Sequence, residues 1–326
     1  MAGRLRTSIN IGLNNGLRQS ISGGDAVALV LKNLITQGGN QLITQSGDTL
    51  TGNVRQSVTG GASGQLALAF LEYTTVANTS TFTLRAASGS NNYEVDWGDG
   101  TVQSYTSTAP THTYASADTY TIKITPAEGS TYNPQFTHAL SETSIAEIDG
   151  TGGTSLTSLY FGFWGASNLT SISSNIDTSN VTNFRLAFAV NNSLTTFPLI
   201  DTSSGTDFTR AWDSCTSLTG IPSLNFSSAT TFNGLFQYSS NFANVPANMF
   251  DNTGTITGDW ANAFRNCALT VQSIENVLVS LDTNGLSNNI LGIDGGSNAA
   301  KTTWSAAANT AYTNLINKGW TITYNT

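Results

Sequence analysis

Charged residues are scarce in this chain: Asp, Glu, Lys and Arg make up 10% of its 326 residues, against about a quarter in an ordinary soluble domain. Dense clusters of Lys and Arg are missing, and the formal net charge is −8. That balance argues against nucleic acid as a general partner, because phosphate binding rests on such clusters. With 2 cysteines and 2 histidines, the chain has neither a disulfide framework nor the paired spacing of a zinc site, so no metal or other cofactor is expected. Long apolar runs are missing too. The longest, Ala26 to Leu31, falls far short of the roughly 20 residues of a membrane span. The opening stretch carries Arg4 and Arg6 but no apolar core of a secretory signal, so no leader is predicted.

What is abundant is different. A hydrophobic share of 39% is enough for folded cores. Ser, Thr and Asn supply more than a third of the residues, so hydroxyls and amides are expected to solvate most of the surface. Charge is also unevenly placed. Residues 1–70 hold Arg4, Arg6, Arg18, Lys32 and Arg55 against Asp25 and Asp48, a balance of +3, which leaves −11 for residues 71–326. The first segment reads as an arm with one short helix, capped by Asp25 and ending at Gly38-Gly39, and without a core of its own. Its arginines either dock it on an acidic partner or are simply solvated.

From about Thr74 the pattern alternates with period two: Phe82 to Arg85, Tyr93 to Trp97 and Tyr120 to Ile124. This predicts a small antiparallel sandwich. Trp97 can fill the core between its sheets, and Gly98-Asp99-Gly100 supplies the positive φ of a tight hairpin. Asp96 and Asp99 have the chemistry to hold Ca²⁺ with backbone oxygens, but Asp is also the ordinary turn residue, and the turn reading is favoured. The run Val95-Asp96-Trp97-Gly98-Asp99-Gly100-Thr101, with His112-Thr113-Tyr114 and Tyr120-Thr121-Ile122, resembles the PKD (polycystic kidney disease) domain over residues 72–127. The resemblance implies a packing role for His112. It departs from the family at Asp118, where a glycine is usual.

The second half carries a period. Aromatic pairs spaced i, i+4 return at i+24: Tyr160 and Trp164, Phe184 and Phe188, Phe208 and Trp212, and Phe232 and Phe236. Trp260 and Phe264 follow at i+28, as the same unit with an insertion. Leu194, Leu218 and Phe242 keep step, as do Phe197, Ile221 and Val245, and Ile176, Ile200 and Leu224. Such a period predicts stacked coils that bury their apolar faces against one another. The aromatic pair suits a short helical or 3₁₀ segment facing inward. Phe208 to Pro222 and Asp177 to Thr182 resemble the BspA-like leucine-rich repeats of bacterial surface proteins. Beyond the repeats, Ile274, Val277, Leu278 and Leu281 mark an amphipathic helix ending near Gly285. A second helix is expected over Thr303 to Asn317, then a closing strand over Trp320 to Tyr324.

The predicted fold class is therefore mixed and β-rich. An arm over 1–70 precedes a PKD-like β-sandwich over 71–128, and a leucine-rich-repeat-like solenoid over 129–326 carries an α/β cap from about residue 270.

No Walker loop, nucleophile elbow or HExxH helix is present, and enzyme is the minority reading. Cys215 and Cys267 occupy equivalent places two units apart, roughly 10 Å, too far for a disulfide. They are predicted to be buried thiols, and His138 a packing residue. Exposed Ser, Thr, Asn and aromatics suit a carbohydrate, or merely solvate a surface of low charge. The expectation is a non-enzymatic phage virion surface protein: a capsid decoration, head fibre or tail appendage. Its arm would dock on other virion proteins in a homo-oligomeric assembly, and its repeats would touch a host-surface glycan or protein. The alternatives are a bacterial surface adhesin and an accessory subunit of a glycan-degrading enzyme.

Overall fold

The computed structural model describes residues 42–43, 49–50, 71–75, 81–88, 92–127, 130–137, 144–150, 156–256 and 259–326. Arg4, Arg6, Arg18, Arg55, His138 and the helix expected after Asp25 lie outside the described residues. The chain divides into two compact units, Met1–Ala67 and Leu68–Thr326. In the first, β1 (Leu42–Ile43) pairs antiparallel with β2 (Thr49–Leu50).

The second unit is mixed and β-rich. Its strands are β3 (Leu71–Thr75), β4 (Thr81–Thr83), β5 (Tyr93–Asp96), β6 (Val102–Tyr105), β7 (Thr111–Thr113), β8 (Thr121–Pro126), β9 (Ile145–Asp149), β10 (Ser171–Ile172), β11 (Ile290–Ile293) and β12 (Thr321–Tyr324). Its helices are α1 (Val271–Asn284) and α2 (Ala306–Asn317). Alternation puts Leu71 and Tyr73, Tyr93 and Val95, and Ile122 and Ile124 inward from three neighbouring strands. The β4–β7 pair adds Phe82, whose ring meets Trp97 at 6.4 Å.

The larger sheet does not stop at residue 128. Its order is β10-β9-β3-β8-β5-β6, so β9 pairs antiparallel with β3 on one side and parallel with β10 on the other. The β9–β10 register joins Glu147 to Ser171. That step equals the interval from Phe184 to Phe208, so β9 is already part of the repeat pattern. Aromatic contacts cross at the same place: Tyr73 meets Phe136 at 5.8 Å, and Phe136 meets Phe163 at 5.7 Å.

From there successive repeats hydrogen-bond to one another. Isolated parallel bridges run Ser158 to Asn183, Asn183 to Asp207 and Asp207 to Thr231. Within each repeat alternate N–H groups donate to the following one: Phe184, Leu186, Phe188 and Val190 donate to the carbonyls of Asp207, Thr209, Ala211 and Asp213 at 2.8 to 3.0 Å. The set is repeated from Phe208, Arg210, Trp212 and Ser214 to Thr231, Asn233, Leu235 and Gln237. The aromatic segment is therefore neither α-helical nor 3₁₀, contrary to expectation. The second and sixth residues after the first buried one take positive φ: Leu186 (56°), Val190 (63°), Arg210 (55°), Ser214 (58°), Gly234 (64°), Tyr238 (62°), Asn262 (60°) and Asn266 (59°). Each left-handed residue breaks the helix and turns N–H groups toward the next repeat, while bonds such as Ala187 N–H to Phe184 C=O (3.0 Å) close tight turns between.

The core is two columns of rings. One runs Phe163, Phe188, Trp212, Phe236 and Phe264 with centroid steps of 5.7, 5.6, 5.4 and 5.6 Å. The other runs Phe184, Phe208, Phe232 and Trp260 with steps of 4.9, 5.8 and 4.1 Å. Tyr160 and Trp164, expected at the head of these columns, are not in them. Tyr160 is exposed and Trp164 half-buried, and their places are taken by Leu159 and Phe163. The Ser158–Asn183 bridge makes this first unit one residue longer than the unit from Asn183 to Asp207. Rings stand at Tyr160, Phe161, Phe163 and Trp164, so spacing alone could not choose between two registers one residue apart.

Hydroxyls and carboxylates join the same ladder. Thr170, Thr206 and Thr230 each donate a side-chain hydrogen bond of 3.0 Å to the equivalent carbonyl of the preceding repeat, Ala146, Thr182 and Thr206. Thr178 and Thr202 reach forward to the carbonyls of Asp201 and Asn225 at 2.5 and 2.6 Å. Asn183, Asp207 and Asp259 each accept the N–H two residues on, at 2.9, 2.8 and 3.2 Å, which forms the turn that starts each aromatic segment.

At the far end β11 bonds to Trp260 and Phe264, the Asp294 carbonyl just after it accepts the Asn266 N–H, and β12 pairs parallel with β11. Helix α1 is capped by Thr270 and ended by left-handed Gly285, and it buries Ile274, Val277, Leu278 and Leu281. Its Ser273 and Ser280 accept the N–H groups of Val245 and Phe250 at 3.0 and 2.8 Å. Helix α2 starts after its Ser305 cap and packs on α1. Lys301 closes the end, with Nζ 3.4 Å from the centroid of Tyr312 and 4.6 Å from that of Tyr324.

One position of the ladder breaks its own rule. Cys215, Ser239 and Cys267 each follow the second core ring by three residues, and their Sγ or Oγ atoms donate to the carbonyls of Phe188, Trp212 and Phe236 at 3.0, 2.7 and 3.0 Å. Asn191 occupies the same position, is fully buried, and has neither amide atom hydrogen-bonded among the described residues. An unsatisfied buried amide costs about 1–3 kcal/mol. Asn191→Cys is close in volume and is expected to raise stability by on the order of 1 kcal/mol, measured by urea unfolding under reducing conditions; a loss of that size would show that the Asn191 amide is satisfied.

Candidate functional site

The glycine-rich hairpin is built around Trp97, which is fully buried. Gly98 and Gly100 have φ of 81° and 92°, as the hairpin requires, and a Cβ on Gly98 would lie 2.6 Å from the Thr121 carbonyl oxygen. Asp96 accepts the Gly98 N–H at 3.0 Å and Asp99 the Thr101 N–H at 2.9 Å, so one oxygen of each shapes the turn. His112 stacks on Trp97 with centroids 5.0 Å apart and meets Tyr114 edge-on at 4.6 Å. Its Nε2 lies 2.7 Å from the second oxygen of Asp99. The Tyr114 hydroxyl donates to the Trp97 carbonyl at 2.9 Å. Burial raises the phenol pKa values of Tyr93, to about 12, and of Tyr114. Asp118 is not left-handed; it accepts its neighbour's N–H at 2.8 Å.

Cys215 and Cys267 are free and buried. Burial pushes the Cys215 thiol up to about 12 and raises that of Cys267 as well, so neither holds a thiolate nucleophile near neutral pH. Among the described residues no three or more His, Cys, Asp or Glu side chains gather where they would hold a metal ion. Nor is any helix among them long and apolar enough to cross a membrane. A shallow groove beside Ser223, Asn225, Asn248 and Met249 is lined mainly by amides and hydroxyls.

The remaining candidate is the side of the aromatic segments away from the ring columns. It is built from the residues one, two and five places after the first buried one of each repeat. In the first repeat these are Tyr160, Phe161 and Trp164; the next has Arg185, Leu186 and Ala189; the third has Thr209, Arg210 and Asp213; the fourth has Asn233, Gly234 and Gln237. At the last of these places Ala189, Asp213 and Gln237 are buried, Trp164 is half-buried and Arg265 of the fifth repeat is exposed. Tyr160 and Phe161 rings meet at 4.6 Å and Phe161 and Trp164 at 5.2 Å. Arg210 pairs with Asp213 at 3.6 Å and Arg265 with Asp294 at 3.5 Å. Burial raises the Asp213 carboxyl pKa against the lowering effects of Ser214 and Arg210. Among the described residues Arg185 is exposed and makes no ion pair. Spacing in the sequence assigns Tyr160 and Trp164 to the core and passes over Phe161 and Arg185. Small residues at Gly162, Ala187, Ala211 and Ala263, each directly before a second core ring, are the signal for the correct register.

Comparison with protein family models, with curated proteins and with solved structures returns no match for this chain.

The Asp99–His112 pair gives the hairpin a pH dependence. Burial works to raise the Asp99 pKa, but hydrogen bonds from His112 and the Thr101 backbone outweigh it and hold the carboxyl below the usual range. A carboxyl so lowered stabilises the fold fully above its unfolded value, and loses that contribution as pH falls through its folded value. Thermal unfolding followed from about pH 7 to about pH 3 is expected to show a steeper acid loss for the native chain than for Asp99→Asn. Parallel curves would remove Asp99 from the account.

Proposed function

We propose that this chain is a non-enzymatic surface-display protein of a phage virion: a capsid decoration, head fibre or tail appendage. In this reading the region from β3 to β8 is a PKD-like sandwich, and the ladder from β9 onward is a leucine-rich-repeat-like solenoid of the BspA-like kind. The solenoid is closed by the sandwich at one end and by α1, α2 and β12 at the other. The observation that carries the reading is where the polar side chains go. Thr178, Thr202, Thr206 and Thr230 tie one repeat to the next, and Asn183, Asp207 and Asp259 shape its turns. The cysteines lie in the core, and the one histidine among the described residues packs on Trp97. These groups build a stiff scaffold, and the outward side of the aromatic segments is left to meet a partner.

Charge supports the virion assignment. Residues 1–70 carry +3 and the remainder −11, a division suited to a basic arm docking on an acidic assembly while the acidic part faces outward. The partners are then other virion proteins at the arm and a host-surface glycan or protein at the repeats, in a homo-oligomeric arrangement set by the particle. Quantitative mass spectrometry of purified particles is expected to find the chain at a copy number matching a capsid or tail symmetry. A truncation lacking residues 1–70 is expected to be lost from them. Absence of the full-length chain from particles would overturn the reading, and release of sugar from host polysaccharide by the purified chain would overturn its non-enzymatic part.

A further inference from the structure

We infer that the outward side of the first two repeats binds a carboxylated sugar, with Tyr160, Phe161 and Trp164 walling the sugar ring and Arg185 holding its carboxylate. The inference rests on the display reading and names the ligand class for one part of that surface.

The core does not need these aromatics. Leu159 and Phe163 already fill the two inward positions of the first repeat, and Phe163 continues the ring column to Phe188. In the later repeats the positions matching Tyr160, Phe161 and Trp164 hold aliphatic, polar or charged side chains and glycine, with no aromatic among them. The first repeat alone concentrates three rings there.

The second position of each segment is left-handed, held so by the hydrogen bonds between repeats, and Phe161 stands there at φ 55° as Leu186 and Arg210 do at 56° and 55°.

Ring geometry and charge then select the ligand. The Phe161 ring is inclined at 66° to Tyr160 and at 71° to Trp164, so the patch is a corner with upright walls rather than a flat plate. A pyranose has apolar C–H faces that pack on such walls and hydroxyls that remain in water. Arg185 is one place after its repeat's first buried residue, as Tyr160 is, and its carbonyl accepts the Phe161 N–H at 3.1 Å, so it borders the corner. Arg210 and Arg265 are engaged by Asp213 and Asp294, whereas Arg185 keeps a guanidinium open for a fork of two hydrogen bonds to a carboxylate.

The structure also supplies the probe. Of six tryptophans, Trp164 is the one that is not buried, so acrylamide quenching of the folded full-length chain reports mainly on this corner. Titration with oligogalacturonate, a hyaluronan tetrasaccharide and sialyllactose is expected to give saturable protection of Trp164 by at least one of them. Its methyl ester should bind about tenfold more weakly, since esterification removes the charge and keeps the ring. Arg185→Ala should lose about the same factor and should no longer distinguish acid from ester. Trp164→Ala, followed by calorimetry, should abolish binding. The melting temperature of each variant serves as the folding control. Failure of all three sugars to bind, equal affinity for acid and ester, or full binding by Arg185→Ala would each overturn the inference. A chain present in particles that binds no acidic sugar defeats this inference alone. One that binds the sugar but is absent from particles defeats only the virion assignment.

Discussion

The fold depends on a hydrogen-bond ladder between aromatic segments in which each segment donates to the following one. Phe184, Leu186, Phe188 and Val190 give their N–H groups to the following repeat and take nothing from it at those positions, and the repeats on either side do likewise. Such a ladder cannot end in solvent or apolar contact without leaving a row of unpaired groups. The structure meets that constraint at both ends. The Phe136 N–H donates to the Phe161 carbonyl of the first segment, and β11 receives the last aromatic segment and is itself covered by β12. The sheet containing β3 runs on into the repeats by a separate row, in which the Thr170 and Ser173 N–H groups donate back to the Ala146 and Ile148 carbonyls of β9.

The scarcity of charge follows from the same geometry. Repeats lie about 4.8 Å apart, so a charge at an equivalent place in each would face its own kind at close range, with repulsion growing where water is excluded. Threonine avoids this, because one hydroxyl can donate to the carbonyl of a neighbouring repeat. Thr206 does so to Thr182, and Thr230 to Thr206. Where carboxylates do repeat, at Asp177 and Asp201, each accepts from a serine two residues on and shapes a turn. The Ser, Thr and Asn content is thus partly internal carpentry, not only solvation.

Much of this was legible in the sequence, for identifiable reasons. The period was plain because Phe188, Trp212 and Phe236 must stack to keep their rings dry, and stacking demands equal intervals. The Gly98 and Gly100 turn and the Thr270-to-Gly285 helix were legible because caps and left-handed glycines are local requirements. Three things were not. The register of the first repeat was hidden by the surplus rings from Tyr160 to Trp164. The left-handed residues were hidden because Leu186, Arg210 and Val190 are not residues that advertise positive φ; tertiary hydrogen bonding imposes it on them. Strand β9 was missed because Ile145 to Asp149 is short and its partner β3 lies far earlier in the chain, before β4 to β8.

The imposed left-handedness bears on function. Because the ladder dictates backbone conformation at the second and sixth positions whatever residue stands there, the side chain at each takes no part in the ring columns. Five repeats show Phe161, Leu186, Arg210, Gly234 and Asn262 in succession at one such position, five chemistries on a single backbone conformation. Inward positions show the opposite, with ring following ring. A repeat of this kind separates the residues that hold the stack together from those that face a partner. Selection can therefore rewrite the outer row without paying in the core, and the aromatic concentration at Tyr160, Phe161 and Trp164 is to be explained by what it touches.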